Sequence, residues 1–69
     1  MSKEISTIAK NIKKYRAKLG ISQDKLSKLA SITLHTITKI ESGSTPNPTI
    51  ETMAKIAKAL GVSIEELIK

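Results

Sequence analysis

The chain has no cysteine, tryptophan or phenylalanine, and Tyr15 is its only aromatic residue. Without a thiol, disulfides and thiolate metal sites are excluded. A single histidine, His35, with no clustered ligands around it leaves no set for an imidazole metal centre either. Glycine (3) and proline (2) are scarce, so they read as punctuation between elements and not as low-complexity linker. No run approaches the roughly 20 apolar residues of a membrane helix. The opening Met1-Ser2-Lys3-Glu4-Ile5-Ser6 is not followed by the apolar stretch of a signal peptide. Acidic residues number 6 against 12 lysines and arginines, a formal charge of +6 with a pI near 9.9. In 69 residues that bias favours a polyanionic partner, nucleic acid first and an anionic membrane surface second. A merely soluble basic surface is the plain alternative. A thiol-free chain is at home in a reducing cytoplasm.

What remains is aliphatic and helically periodic. The length allows one small domain over 1–69, of a size that buries only about 60% of its unfolded surface. Ile5, Ile8, Ile12, Tyr15 and Leu19 recur at three- and four-residue steps and predict a helix from about Glu4 to Leu19, stopped by Gly20. Lys3, Lys10, Lys14 and Lys18 fall on its opposite face, as a solvated stripe of which only part need touch phosphate. Arg16 falls in the apolar sector, near Ile5, Ala9 and Ile12, where an unpartnered charge is costly.

Ser22 caps a second helix, Gln23 to Ala30, with Leu26, Leu29 and Ala30 on one side. After Ser31-Ile32, Thr33 caps a third, Leu34 to Ser42, closed by Gly43. Ile37, Ile40 and Glu41 share its inward face, and His35, Thr38, Lys39 and Ser42 its outward face. Ser44-Thr45-Pro46-Asn47-Pro48 is a loop, because its two prolines cannot sit inside a helix. Thr49 caps a fourth helix, Ile50 to Leu60, with Ile50, Met53, Ile56, Ala57 and Leu60 as its buried stripe. Ser63-Ile64-Glu65-Glu66 is a capping box opening a last helix to about Ile68. The fold class expected is all-α, five short helices around one core. The stretch 22–43, two short helices joined by a tight corner, has the pattern of a helix-turn-helix. Its outward strip is short, polar and donor-rich, which suits close approach to base edges; an ordinary solvent-facing helix would carry more Glu and Lys.

Certain segments carry a family resemblance: Arg16, Gly20-Ile21-Ser22-Gln23, Leu26-Ser27-Lys28-Leu29-Ala30, Ile37, Ile40-Glu41-Ser42-Gly43, Pro48-Thr49 and Ile56-Ala57-Lys58-Ala59-Leu60-Gly61-Val62-Ser63. With them the chain resembles the Cro/C1-type, or XRE-like, helix-turn-helix family from about Ile12 to Leu67. The resemblance implies a lambda-repressor-like DNA-binding fold and a small transcriptional regulator, a repressor, with helix 34–42 in the major groove. It supplies Glu41 as the buried ion-pair partner of Arg16. Two residues depart from the family pattern. Ser31 stands where glycine is usual at the corner, with strain of roughly 1–2 kcal/mol if the backbone there is left-handed. Ser27 stands where a small alanine is usual.

For phosphate contacts the resemblance points to Gln23, Ser42 and the loop after Gly43, with backbone N–H groups of Ser44, Thr45 and Asn47 as donors. Lys39, with Lys10 or Lys14, adds charge. The expected base-reading set is Thr33, Leu34, His35, Thr38 and Lys39: Lys39 toward guanine O6 and N7, His35 as donor or acceptor, Leu34 and the threonine methyls on thymine methyls. His35 has a plain alternative as an ordinary surface residue. Relatives bind palindromic double-stranded operators as symmetric dimers. For a dimer of this chain the expected surface is Val62, Ile64, Leu67 and Ile68. No catalytic residues, cofactor or membrane partner are expected. Two other functions compete: an antitoxin-type or other protein-interaction module on the same fold, and electrostatic binding of nucleic acid without sequence preference.

Overall fold

The computed structural model describes residues 7–45 and 48–69. It contains helices α1 (Thr7–Leu19), α2 (Gln23–Ala30), α3 (Leu34–Ser42), α4 (Ile50–Leu60) and α5 (Ile64–Ile68), with no strand among the described residues. The fold is all-α, as the periodicity and caps require. The expected α1 residues 4–6, with Ile5, and also Lys3, Pro46 and Asn47, lie outside the described residues.

Each of the last four helices begins at a hydroxyl side chain. Ser22 accepts from Lys25 N at 3.0 Å, Thr33 from Thr36 N at 3.2 Å, Thr49 from Thr52 N at 3.1 Å and Ser63 from Glu66 N at 3.1 Å. Glu66 completes the capping box by accepting from Ser63 N at 3.2 Å. These oxygens satisfy first-turn N–H groups that have no partner inside the helix. The corner between α2 and α3 is left-handed: Ser31 has φ 58° and ψ 44°, the one positive φ at a non-glycine among the described residues. Its N–H donates to Lys28 O, and Ile32 N donates to Ser27 O at 2.9 Å, so the corner closes α2 while turning the chain. The buried Ser27 hydroxyl donates to Asp24 O at 2.7 Å, so a polar side chain sits in the close α2 packing without an unmet bond.

The core gathers Ile12 from α1, Leu26 and Ala30 from α2, Ile37 and Ile40 from α3, Met53, Ile56, Ala57 and Leu60 from α4, and Leu67 from α5. α1 lies against α3 and α5, and α2 against α3 and α4. The helix-turn-helix pair is thereby gripped from two sides. Asn11 adds a polar tie, Nδ2 donating to Leu67 O at 2.8 Å at the end of α5. A carbonyl near a helix C-terminus needs such a donor.

Three apolar residues expected on buried stripes are exposed: Leu19 at 51%, Leu29 at 51% and Ile50 at 72%. The buried face of α2 is centred between Leu26 and Ser27, and at 3.6 residues per turn Leu29 falls about 100° away from it. Leu19 and Ile50 are terminal residues of α1 and α4, where nothing packs over the end of the stripe.

Candidate nucleic-acid interface

The helical period divides α3 between core and solvent. Ile37, Ile40 and Glu41 are buried. Leu34, His35, Thr38, Lys39 and Ser42 are exposed along the other side, with Thr33 exposed at the start. The structure therefore brings all five expected base-reading residues onto one surface strip. The Thr33 hydroxyl is engaged twice, as the cap acceptor and in a 2.9 Å contact with Thr36 Oγ1. Its methyl and the Leu34 side chain are the apolar elements at that end.

A polar cluster holds α3 to the body. Arg16 Nε donates to Glu41 Oε2 at 2.7 Å and Arg16 Nη2 to Glu41 Oε1 at 2.9 Å, a bidentate fork. Arg16 Nη1 donates to Ile21 O at 3.0 Å, tying the α1–α2 turn into the same cluster. Gln23 Nε2 donates to Glu41 Oε1 at 2.9 Å, and Thr38 Oγ1 donates to Gln23 Oε1 at 3.3 Å. The Glu41 side chain is only 2% exposed. Burial by itself raises its pKa, but hydrogen bonds from Arg16 and Gln23, with the Arg16 and Lys13 charges, outweigh it and hold the carboxyl below the usual carboxylate range. The hydrogen bond to Glu41 likewise raises the Arg16 pKa against a smaller opposing effect of burial.

The expected phosphate donors divide. The Gln23 side chain is engaged with Glu41 and Thr38, while one Nε2 proton and its first-turn backbone N–H remain free. Ser42 Oγ donates to Lys39 O at 3.0 Å and lies 3.0 Å from Ser44 Oγ. The backbone N–H groups of Ser44 and Thr45 do not point outward as expected. Ser44 N donates to Ser42 Oγ at 3.3 Å and Thr45 N to Lys39 O at 3.2 Å. The physical reason is the end of α3, whose last carbonyls and side chains need local donors. Only hydroxyls remain at these two positions, and Asn47 lies outside the described residues.

Among the lysines, Lys10 and Lys14 are exposed, with Lys14 Nζ 5.1 Å from the Tyr15 ring centroid. Lys13, absent from the expected site residues, is the lysine whose charge reaches Glu41. Its signal was its place three residues before Arg16, on the side of α1 that faces α3. At the other end, Leu67 is fully buried in the core, so it is not available to a second chain. Leu67 lies nearly one full turn after Ile64, on the same side of α5, and that side faces the core. Val62 and Ile64 are half-buried against the same core, and Ile68 is 54% exposed. Among the described residues no helix is long and apolar enough to cross a membrane, and no three His, Cys, Asp or Glu side chains are grouped to hold a metal ion.

No curated protein matches the sequence. Among solved structures, the chain is similar to FeII HppE in complex with substrate, with 26% identity and a TM-score of 0.82, covering 96% of this chain and 38% of that one. It is also similar to hydroxypropylphosphonic acid epoxidase from S. wedmorenis in complex with fosfomycin, with 25% identity and a TM-score of 0.81, covering 99% of this chain and 36% of that one. The chain thus spans a little over a third of the length of these proteins. The sequence matches the helix-turn-helix family over residues 12–67, a span that holds the Arg16–Glu41 pair, the left-handed corner and all of α2 to α4. The chain belongs to the Cro/C1-type (XRE) helix-turn-helix family of DNA-binding proteins.

Proposed function

We propose that the chain is a sequence-specific regulator of transcription, a repressor, that lays α3 into the major groove of a palindromic double-stranded operator. The observation that carries this reading is the exposed strip Thr33, Leu34, His35, Thr38 and Lys39 on a helix whose opposite side is pinned by Glu41. A helix held this rigidly presents its side chains in one register, which base readout requires. The charge of +6 supplies the attraction to phosphate. One short helix reads few base pairs, so we further propose a homodimer on DNA, with half-sites about 34 Å apart. The surface available for it is Val62, Ile64 and Ile68. Chemistry is not part of this reading: no catalytic group is assigned, and the activity of the similar epoxidase belongs to that larger protein. The place of action is the cytoplasm.

The experiment is selection of binding sites from random duplex DNA, followed by affinity against salt. A recovered motif that Lys39→Ala relaxes at one position supports readout. Equal binding to all duplexes, with affinity set by salt alone, overturns it in favour of non-specific binding. A second reading, a protein-interaction module of the antitoxin type, is favoured by one feature. Leu29, 51% exposed, borders a groove of about 470 Å³ between α2 and α4, with Lys55 and Lys58 on its rim. A toxin-like product of the adjacent gene that binds the chain would favour this version.

A further inference from the structure

The hydrogen bonds around Glu41 do more than orient α3. An ionised carboxylate accepts hydrogen bonds and donates none. Glu41 is kept in that form by the fork of Arg16 on both its oxygens. Gln23 can therefore turn only its amide nitrogen toward Glu41, and Nε2 donates to Oε1 at 2.9 Å. The other half of the amide is then an acceptor, and it meets Thr38, whose Oγ1 donates to Gln23 Oε1 at 3.3 Å. A threonine hydroxyl has one proton and two lone pairs. With its proton directed at Gln23, exposed Thr38 offers only lone pairs and a methyl group outward.

We infer that Thr38 reads a hydrogen-bond donor on DNA, the exocyclic amino group of adenine or cytosine, and that Gln23 is the positioning residue that sets this preference. The inference rests on the proposed role of α3 in reading DNA. In the major groove adenine N6 and cytosine N4 carry donors, whereas guanine presents O6 and N7 and thymine O4, all acceptors. Lone pairs of Thr38 facing those acceptors gain no bond and repel. The order Arg16, Glu41, Gln23, Thr38 thus carries a polarity from the partly buried cluster to the surface strip. Gln23 keeps a second amide proton and its backbone N–H, so a phosphate contact at the same residue is compatible with this role.

The test selects sites from random duplex DNA with the full chain and with its Thr38→Val and Gln23→Leu variants, each checked for folding by thermal melting. Thr38→Val keeps the shape and a methyl group but removes the oxygen. The expected wild-type motif has a position holding A or C whose preference falls roughly three- to tenfold in Thr38→Val. Gln23→Leu frees the hydroxyl to rotate, so G and T gain at that position. Gln23→Met takes its place should Gln23→Leu not fold. A Thr38-dependent position that holds G or T overturns the inference. So does a motif that Thr38→Val leaves unchanged, or a preference for A or C that persists in the Gln23 variant. These three outcomes leave sequence-specific binding standing. A wild-type chain that recovers no motif removes the proposed function itself, and the inference with it.

Discussion

Arg16 and Glu41, separated by 25 positions in sequence, meet with Nε 2.7 Å from Oε2, the Glu41 side chain being 2% exposed and the Arg16 side chain 20%. The pair joins α1 to the middle of the family motif. Removing one partner leaves the other charge in a low-polarity site, which costs more than an exposed pair is worth. Arg16→Ala is expected to destabilise the domain by about 3–5 kcal/mol. Its melting temperature should fall by more than about 10 °C. An unchanged melting temperature would show that the fork contributes little to stability.

The same carboxylate makes stability depend on pH. The folded-state pKa of Glu41 lies below its ordinary value, so the unfolded chain binds a proton on this group more readily than the folded one. The resulting stabilisation is complete above the unfolded value, about 4.3, and is lost as pH falls through the lower folded value. Denaturant melts between pH 7 and pH 3 should show this loss, and Glu41→Gln should reduce the slope below about pH 4.3. Equal slopes for the two proteins would assign acid sensitivity to other groups.

At the corner, Ser31 holds φ 58°. Left-handed backbone costs a non-glycine residue roughly 1–2 kcal/mol, part of which glycine returns as unfolded-state entropy. Ser31→Gly should therefore stabilise the domain by about 0.5–1 kcal/mol, read as a higher denaturant midpoint at constant slope. A lower midpoint would mean that the serine makes a compensating interaction.

The last helix separates stability from assembly. Leu67 is fully buried and Ile68 is 54% exposed. Leu67→Ala should cost about 2–5 kcal/mol, whereas Ile68→Asp should leave the melting temperature of the isolated chain within a few degrees. If the proposed dimer uses this end, Ile68→Asp will shift sedimentation toward monomer and weaken operator binding. A wild-type chain that sediments as a monomer at high concentration, with and without operator DNA, removes the dimer.

Much of the fold was legible because its signals are local. Hydroxyl caps at 22, 33, 49 and 63, apolar periods and helix-ending glycines each act within a few residues. Arg16 and Glu41 were legible as inward-facing charges, but the partner of Arg16 came from family resemblance. Periodicity also marked Leu29 and Ile50 as buried, because a helical wheel gives direction without showing where neighbouring helices end.

The sequence by itself determined five helices and which side of α3 faces away from the core. The tertiary structure alone decided how the polar groups around that side are used. It drew Leu67 into the core and set Gln23 between Glu41 and Thr38. Those outcomes depend on hydrogen-bond partners 15 and 18 residues apart, or on which surfaces other helices cover. Only the packed chain brings such groups within reach, and only then does a donor's direction acquire a meaning for DNA.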